Sequence, residues 1–189
     1  MIELIYPGSR APLAKGARRT QASEMLPIVD ASGRVTEQAP RSYCHSQRRP
    51  LHPVVHLHIT DRKGRIYLQK RSPEKDFLPG MWDTAVGGHV SYGEYIREAL
   101  VRESAEELGL FDFNPIHLDT YVYETDRERE LIFGFAAVGS FSLNPDNAEV
   151  SEGRWWTPGE IEEKLGKGVF TPNFESEYRR FRNALTALL

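Results

Sequence analysis

Cysteine is nearly absent from this chain of 189 residues. Cys44 stands alone, which excludes an intrachain disulfide and a cysteine zinc cluster and fits a reducing compartment. Long apolar runs are missing too. No segment approaches the roughly 18 residues of a membrane span, and the N-terminal stretch lacks the apolar core, about 7–15 residues long, of a secretory signal. A cytoplasmic protein without a membrane partner is therefore expected. Charge of one sign is also lacking: the net charge is -3, and Arg18-Arg19 and Arg48-Arg49 are only pairs. No overall basic field exists to draw nucleic acid, so no stable nucleic-acid partner is expected. Internal repeats and low-complexity tracts are absent. What remains, 40% hydrophobic and 27% charged, is ordinary globular composition. The length suits one domain with an extension.

Residues 1–24 carry no periodic apolar face and read as a loosely docked arm. Met25–Val29 and Gly33–Thr36 flank Asp30-Ala31-Ser32 as a small hairpin. The division is then an N-terminal arm and hairpin over 1–52 and a compact domain over 53–189. In that domain Val54–Thr60 and Arg65–Arg71 are strands around the turn Asp61–Gly64, and Trp82–Val86 is a short strand. A long helix follows over about Tyr92–Leu108, then strands His117–Glu124 and Glu130–Val138. Asn144–Gly153 reads as a loop and Trp155-Trp156 as a last short strand. Thr157, Pro158 and Glu160 have the spacing of a capped helix start. A final helix from Pro172 carries Phe174, Tyr178, Phe181, Leu185 and Leu188 at helical spacing, which suits core or subunit contact and allows a homodimer.

The run from Gly88 to Leu110 holds the chemistry. Ser91 and Glu94 have capping-box spacing, and Gly109 suits a left-handed helix end. Between them Glu103, Glu106 and Glu107 fall at i, i+3 and i+4 and share a face, while Leu100, Val101, Ser104 and Leu108 form the neighbouring face. Like charges so placed cost an isolated helix a few tenths of a kcal/mol per pair. A hard divalent cation such as Mg2+ or Mn2+ reverses that sign, with water and substrate phosphate completing its shell. Bare, such a face also fits solvated surface; the preceding Gly87-Gly88 pair and strand add to the pattern.

Gly88, Glu94, Arg102, Glu103, Ser104, Glu106, Glu107, Gly109 and Leu110 match the signature of the Nudix hydrolases. Ser104 alone departs, at a packing position that prefers an aliphatic residue. The resemblance implies a Nudix-type α/β/α sandwich with a mixed sheet, a catalytic loop–helix–loop and C-terminal helices. It implies a metal-dependent hydrolase cleaving a diphosphate linkage in a small-molecule substrate, a nucleoside diphosphate derivative. Glu103, Glu106 and Glu107 would bind Mg2+ or Mn2+ with the Gly88 carbonyl. Gly88, Glu94, Arg102 and Gly109 would support the motif, and Glu103 would also serve the attacking water. A further acid from a later loop is Glu149 in the first place and Glu152 in the second. Lys70 and Arg71 are candidate phosphate contacts. Trp82 fits stacking or core.

Residues 54–110, through Ile66–Ser72 and Pro79–Thr84, resemble the isopentenyl-diphosphate isomerase-like branch. In true isomerases three histidines and two glutamates hold a metal, and a cysteine works at carbon. His45, His52, His89, Glu128 and Glu130 match that metal set. Gly87 stands at the cysteine position, which argues against isomerase activity. An isoprenyl-diphosphate isomerase-like enzyme and a non-catalytic nucleotide-binding module are the alternatives. His56 and His58 share a strand face and suit packing or hydrogen bonding.

Overall fold

The computed structural model describes residues 3–7, 24–75, 77–145 and 150–189. In chain order the elements are β1 (Met25–Val29), β2 (Val35–Pro40), α1 (Arg41–Cys44), β3 (His52–Thr60), β4 (Ile66–Arg71), β5 (Trp82–Thr84), β6 (Val86–His89), α2 (Ile96–Leu108), β7 (Ile116–Glu124), β8 (Arg129–Val138), β9 (Val150–Trp156), α3 (Pro158–Lys164) and α4 (Pro172–Ala187). β1 and β2 make a two-stranded sheet. The seven other strands have the order β5-β4-β3-β8-β7, with β6 beside β3 and β9 beside β4. The fold is α/β, a mixed sheet with helices. Among the described residues no helix is long and apolar enough to cross a membrane.

By contact density the chain divides into two compact units. One comprises Met1–Val55, Gly88–Leu100 and Asp119–Phe133; the other comprises His56–Gly87, Val101–Leu118 and Gly134–Leu189.

In the first unit, the hairpin β1–β2 turns where sequence chemistry expects it to. The Asp30 carboxylate accepts the backbone N–H of Ser32 at 2.9 Å and of Arg34 at 3.1 Å, the Asx geometry that favours turns. Leu26, Ala39 and Cys44 pack together beneath it. Burial pushes the Cys44 thiol up to about 11, with the charge of Glu24 adding to the effect. Residues 3–7 are docked: Ile5 bonds the backbone of Gly33 and Val35. The Tyr6 hydroxyl accepts the Gly93 N–H at 2.9 Å, and its ring meets Tyr92 edge-on.

Helix α2 begins at Ile96, later than its spacing predicts. Gly93 takes φ 86°, so Ser91 to Glu94 make a turn before the helix and not its cap. Glu94 still reaches back to the Ser91 N–H at 3.1 Å. The first turn of the helix is closed instead by Glu98 on the Tyr95 N–H and by Glu3 on the Ile96 N–H, each at 3.0 Å. A carboxylate from the far end of the chain is invisible to local spacing. At the other end Gly109 takes φ 63° and lets the Leu110 N–H bond Ser104 O, the left-handed stop predicted for it.

In the second unit, β9 starts at Val150, so the predicted loop Asn144–Gly153 ends early. The reason lies in β4. One of its edges pairs with β9 along its whole length. Its other edge is shared between β3 at Ile66 and Tyr67 and β5 at Leu68 to Lys70. The predicted strand Trp82–Val86 breaks at Ala85 into β5 and β6. The capped start of α3 forms as its spacing predicts: Thr157 accepts the Glu160 N–H at 3.3 Å, and Glu160 accepts the Thr157 N–H at 2.8 Å. Trp82, buried, meets Trp156 edge-on at 5.1 Å. Phe170 and Phe174 continue the stack into α4.

Gly153 has no room for a side chain, because the Tyr67 hydroxyl fills the place of its Cβ. Gly159→Ala meets nothing within 4 Å. Urea unfolding should show Gly153→Ala less stable by about 1–3 kcal/mol, the usual range for overpacking, and Gly159→Ala near wild type. Equal stability of the two variants would contradict this packing.

Candidate active site

Two segments of the second unit, β4 and the start of β6, reach Glu107 on α2. The residue is 7% exposed, although it belongs to an acidic helical face. Its Oε2 accepts the Gln69 side-chain amide of β4 at 3.0 Å and the backbone N–H of Gly87 at 3.3 Å. Leu100, Ser104 and Leu108 are fully buried on the neighbouring face of α2. That burial turns Glu107 toward β4 and β6. Ser104, the departure from the signature, thus packs as its position predicts.

Glu103 lies one turn before Glu107, and its side chain is 13% exposed. Arg102 Nη1 bonds Glu103 at 2.7 Å and Glu106 at 3.3 Å. One guanidinium therefore offsets repulsion between two carboxylates. The Glu106 side chain is 62% exposed. The three acids thus form a graded set, from Glu107 seated in the protein to Glu106 in solvent. Gly88, next along β6, is buried. Glu149 lies outside the described residues.

Strand alternation puts Gln69 and Arg71 on one face of β4 and Lys70 on the other. Arg71 is engaged twice: Nε donates to Phe77 O at 3.1 Å, and Nη1 meets Asp83 at 3.2 Å. Lys70 lies 5.8 Å from the centroid of Trp82 and 3.7 Å from Glu152.

The first unit gathers three histidines. Ring nitrogens of His45, His52 and His89 lie within 4.8 Å of one another. His45 Nε2 is 3.1 Å from His89 Nε2, and its Nδ1 is 3.2 Å from Glu128. His52 is fully buried. Its Nδ1 is 3.0 Å from the carbonyl of Pro50, which can only accept. The proton of neutral His52 is therefore on Nδ1, and Nε2 presents a lone pair. That buried Nε2 has no hydrogen-bond partner. Burial pushes the His52 pKa down to about 4, against the pull of the Pro50 carbonyl. A neutral imidazole whose outer N–H is held by a carbonyl is the form that ligates metals. Glu130 is also buried.

His56 and His58 do share a face, and both meet Glu177 of α4. Sequence reading missed that carboxylate, along with Gln69 and Glu3. Two histidines on a buried strand face were a signal that an acid should come to them. So was the glutamine in the otherwise apolar start of β4.

A family model described as the NUDIX domain matches residues 50–174. The uncharacterized Nudix hydrolase YfcD of Salmonella typhi is 34% identical over 158 residues, covering 82% of this chain and 83% of that one. An isopentenyl-diphosphate Delta-isomerase of Paenarthrobacter aurescens (strain TC1) is 31% identical over 151 residues, covering 76% of this chain and 82% of that one. The crystal structure of DR0079 from Deinococcus radiodurans has the same fold, with a TM-score of 0.72 at 23% identity, over 83% of this chain and 98% of that one. The matched span holds the carboxylate helix, the glycine pair and β4 together. The chain belongs to the Nudix family and is a Nudix hydrolase.

Proposed function

We propose that this enzyme hydrolyses a diphosphate linkage in a nucleoside diphosphate derivative, with a divalent cation, Mg2+ or Mn2+, held by Glu103, Glu106, Glu107 and the Gly88 carbonyl. The seating of Glu107 carries the reading. A solvated helix face has no reason to bury a carboxylate against a glycine N–H and a strand amide, whereas a ligand must be oriented before it binds. When bound, the cation supplies charge that stabilises phosphoryl oxygens and lowers the pKa of water. Gln69 and Gly87 fix one oxygen of Glu107. Arg102 holds Glu103 and Glu106 near each other while their charges would drive them apart. Glu103, partly shielded, serves the attacking water as base or orienter. Arg71, pre-oriented by Asp83, is the first phosphate contact, and Lys70 the second. Glu149 is the proposed additional acid. Residues 53–189 would carry the activity, with 1–52 accessory to it.

The histidine group supports a second reading, a separate metal site of His45, His52 and His89 with Glu128 and Glu130 close in function. The lone pair at His52 Nε2 favours it. Isomerase chemistry is disfavoured because residue 87 has no thiol, and the Cys44 thiol, enclosed by Leu26 and Ala39, does not ionise near neutral pH.

Glu107→Gln should lower turnover with saturating Mg2+ by about 100-fold or more, the scale for losing one oriented electrostatic group. Its thermal midpoint should stay near wild type. Products from a panel of nucleoside diphosphate derivatives, identified by mass, provide the measure; wild-type rates in the variant would sink the assignment.

His52 yields a pH prediction. Its pKa falls on folding from 6.5 to about 4, so between these values the unfolded chain binds more protons. Stability contributed by neutral His52 is full above pH 6.5 and is lost as pH falls toward about 4. In chelator the loss should be on the order of 3 kcal/mol, and His52→Gln should remove that component. An unchanged pH profile in the variant would contradict it.

A further inference from the structure

The buried face of α4 is mostly aromatic and aliphatic, with a carboxylate set into it. Glu177 lies among Phe174, Tyr178 and Phe181 and is 0% exposed. It accepts from His56 Nδ1 and from Thr84 Oγ1, each at 3.0 Å, and lies 3.1 Å from His58 Nε2. Burial alone would raise its pKa, but the charges and hydrogen bonds of His56 and His58 outweigh it and hold the carboxyl well below the usual range. Burying a carboxylate costs several kcal/mol before its partners compensate. A helix that needed only an anchor could use leucine here, as it does at Leu185.

The other edge of the His56 ring shows what the carboxylate holds in place. Cδ2 and Nε2 both lie 3.3 Å from the point a Cβ on residue 87 would occupy. That is tighter than an ordinary contact. A side chain at 87 would therefore begin hard against the imidazole edge, and ring or backbone would have to shift to admit it. The same Gly87 donates its N–H to Glu107.

We propose that the Glu177–His56 pair is a positioning device for Glu107: Glu177 fixes the imidazole, the imidazole edge sets Gly87, and the Gly87 amide holds the carboxylate ready for a divalent cation. The proposal rests on reading Glu107 as a metal ligand. It makes His56 and Gly87 a matched pair, and it makes α4 part of the active site although it supplies no ligand.

The test is Mn2+ binding to the full chain, followed by electron paramagnetic resonance of the free ion. Glu107→Gln defines the site by the binding it removes. His56→Gln and Glu177→Gln should weaken that same site about 10-fold or more, the scale for losing a group behind a ligand. Thr84→Val, which removes a bond to Glu177 but leaves His56 in place, should lower the thermal midpoint without moving Mn2+ affinity. Gly87→Ala should also weaken the site, and the losses from Gly87→Ala and His56→Ser should fail to add in the double variant. This pair keeps the test decisive if Glu177→Gln does not fold. Wild-type Mn2+ affinity in His56→Gln and Gly87→Ala, while Glu107→Gln loses the site, would overturn the positioning role alone. Full Mn2+ binding by Glu107→Gln would overturn the metal reading and this proposal with it.

Discussion

One carboxylate oxygen joins a helix to two strands. Glu107 Oε2 receives an amide from β4 and a backbone N–H from β6, and the arrangement of the acidic face is tied to that junction. Those two bonds hold Glu107 in the orientation that burial of Leu100, Ser104 and Leu108 gives the helix. They also require residue 87 to bring its backbone close, which glycine permits. Without the junction the three acids would be an ordinary charged stripe, repelling one another in water. With it, one acid is seated, one is shielded and one is exposed.

The same economy governs the histidines. His56 and His58 have a fully buried carboxylate between α4 and β3 for company, so their chemistry is internal. His45, His52 and His89 converge on one another, and His52 turns a lone pair into a buried space without a hydrogen-bond partner. Burial keeps His52 neutral and leaves that lone pair available. Cys44 shows the opposite outcome: its enclosure raises the thiol and removes it from nucleophilic work.

Most of the fold was legible because its signals are local. Strand-forming runs bounded by turns marked β3, β4, β7 and β8, the Thr157–Glu160 box marked α3, and Gly109 marked the end of α2. The acidic face was legible too, since Glu103, Glu106 and Glu107 need only helical spacing to share it. What escaped was set by distant partners. Glu3 shapes the start of α2, and β9 extends to Val150 because β4 has an open edge to pair. Gln69 reaches Glu107, and Glu177 reaches His56, across spans no window covers. The capping spacing of Ser91 and Glu94 was real, but Gly93 diverted it into a turn.

In the proposed reaction water is added to a diphosphate with a divalent cation at this carboxylate face. Cleavage in water enriched in oxygen-18 tests it most directly, using the panel of nucleoside diphosphate derivatives with Mg2+ or Mn2+. One labelled oxygen should appear in a phosphate-bearing product for each linkage broken, and chelator should abolish its formation. An intact diphosphate with a rearranged carbon skeleton and no label, or labelled product formed equally well in chelator, would contradict the account.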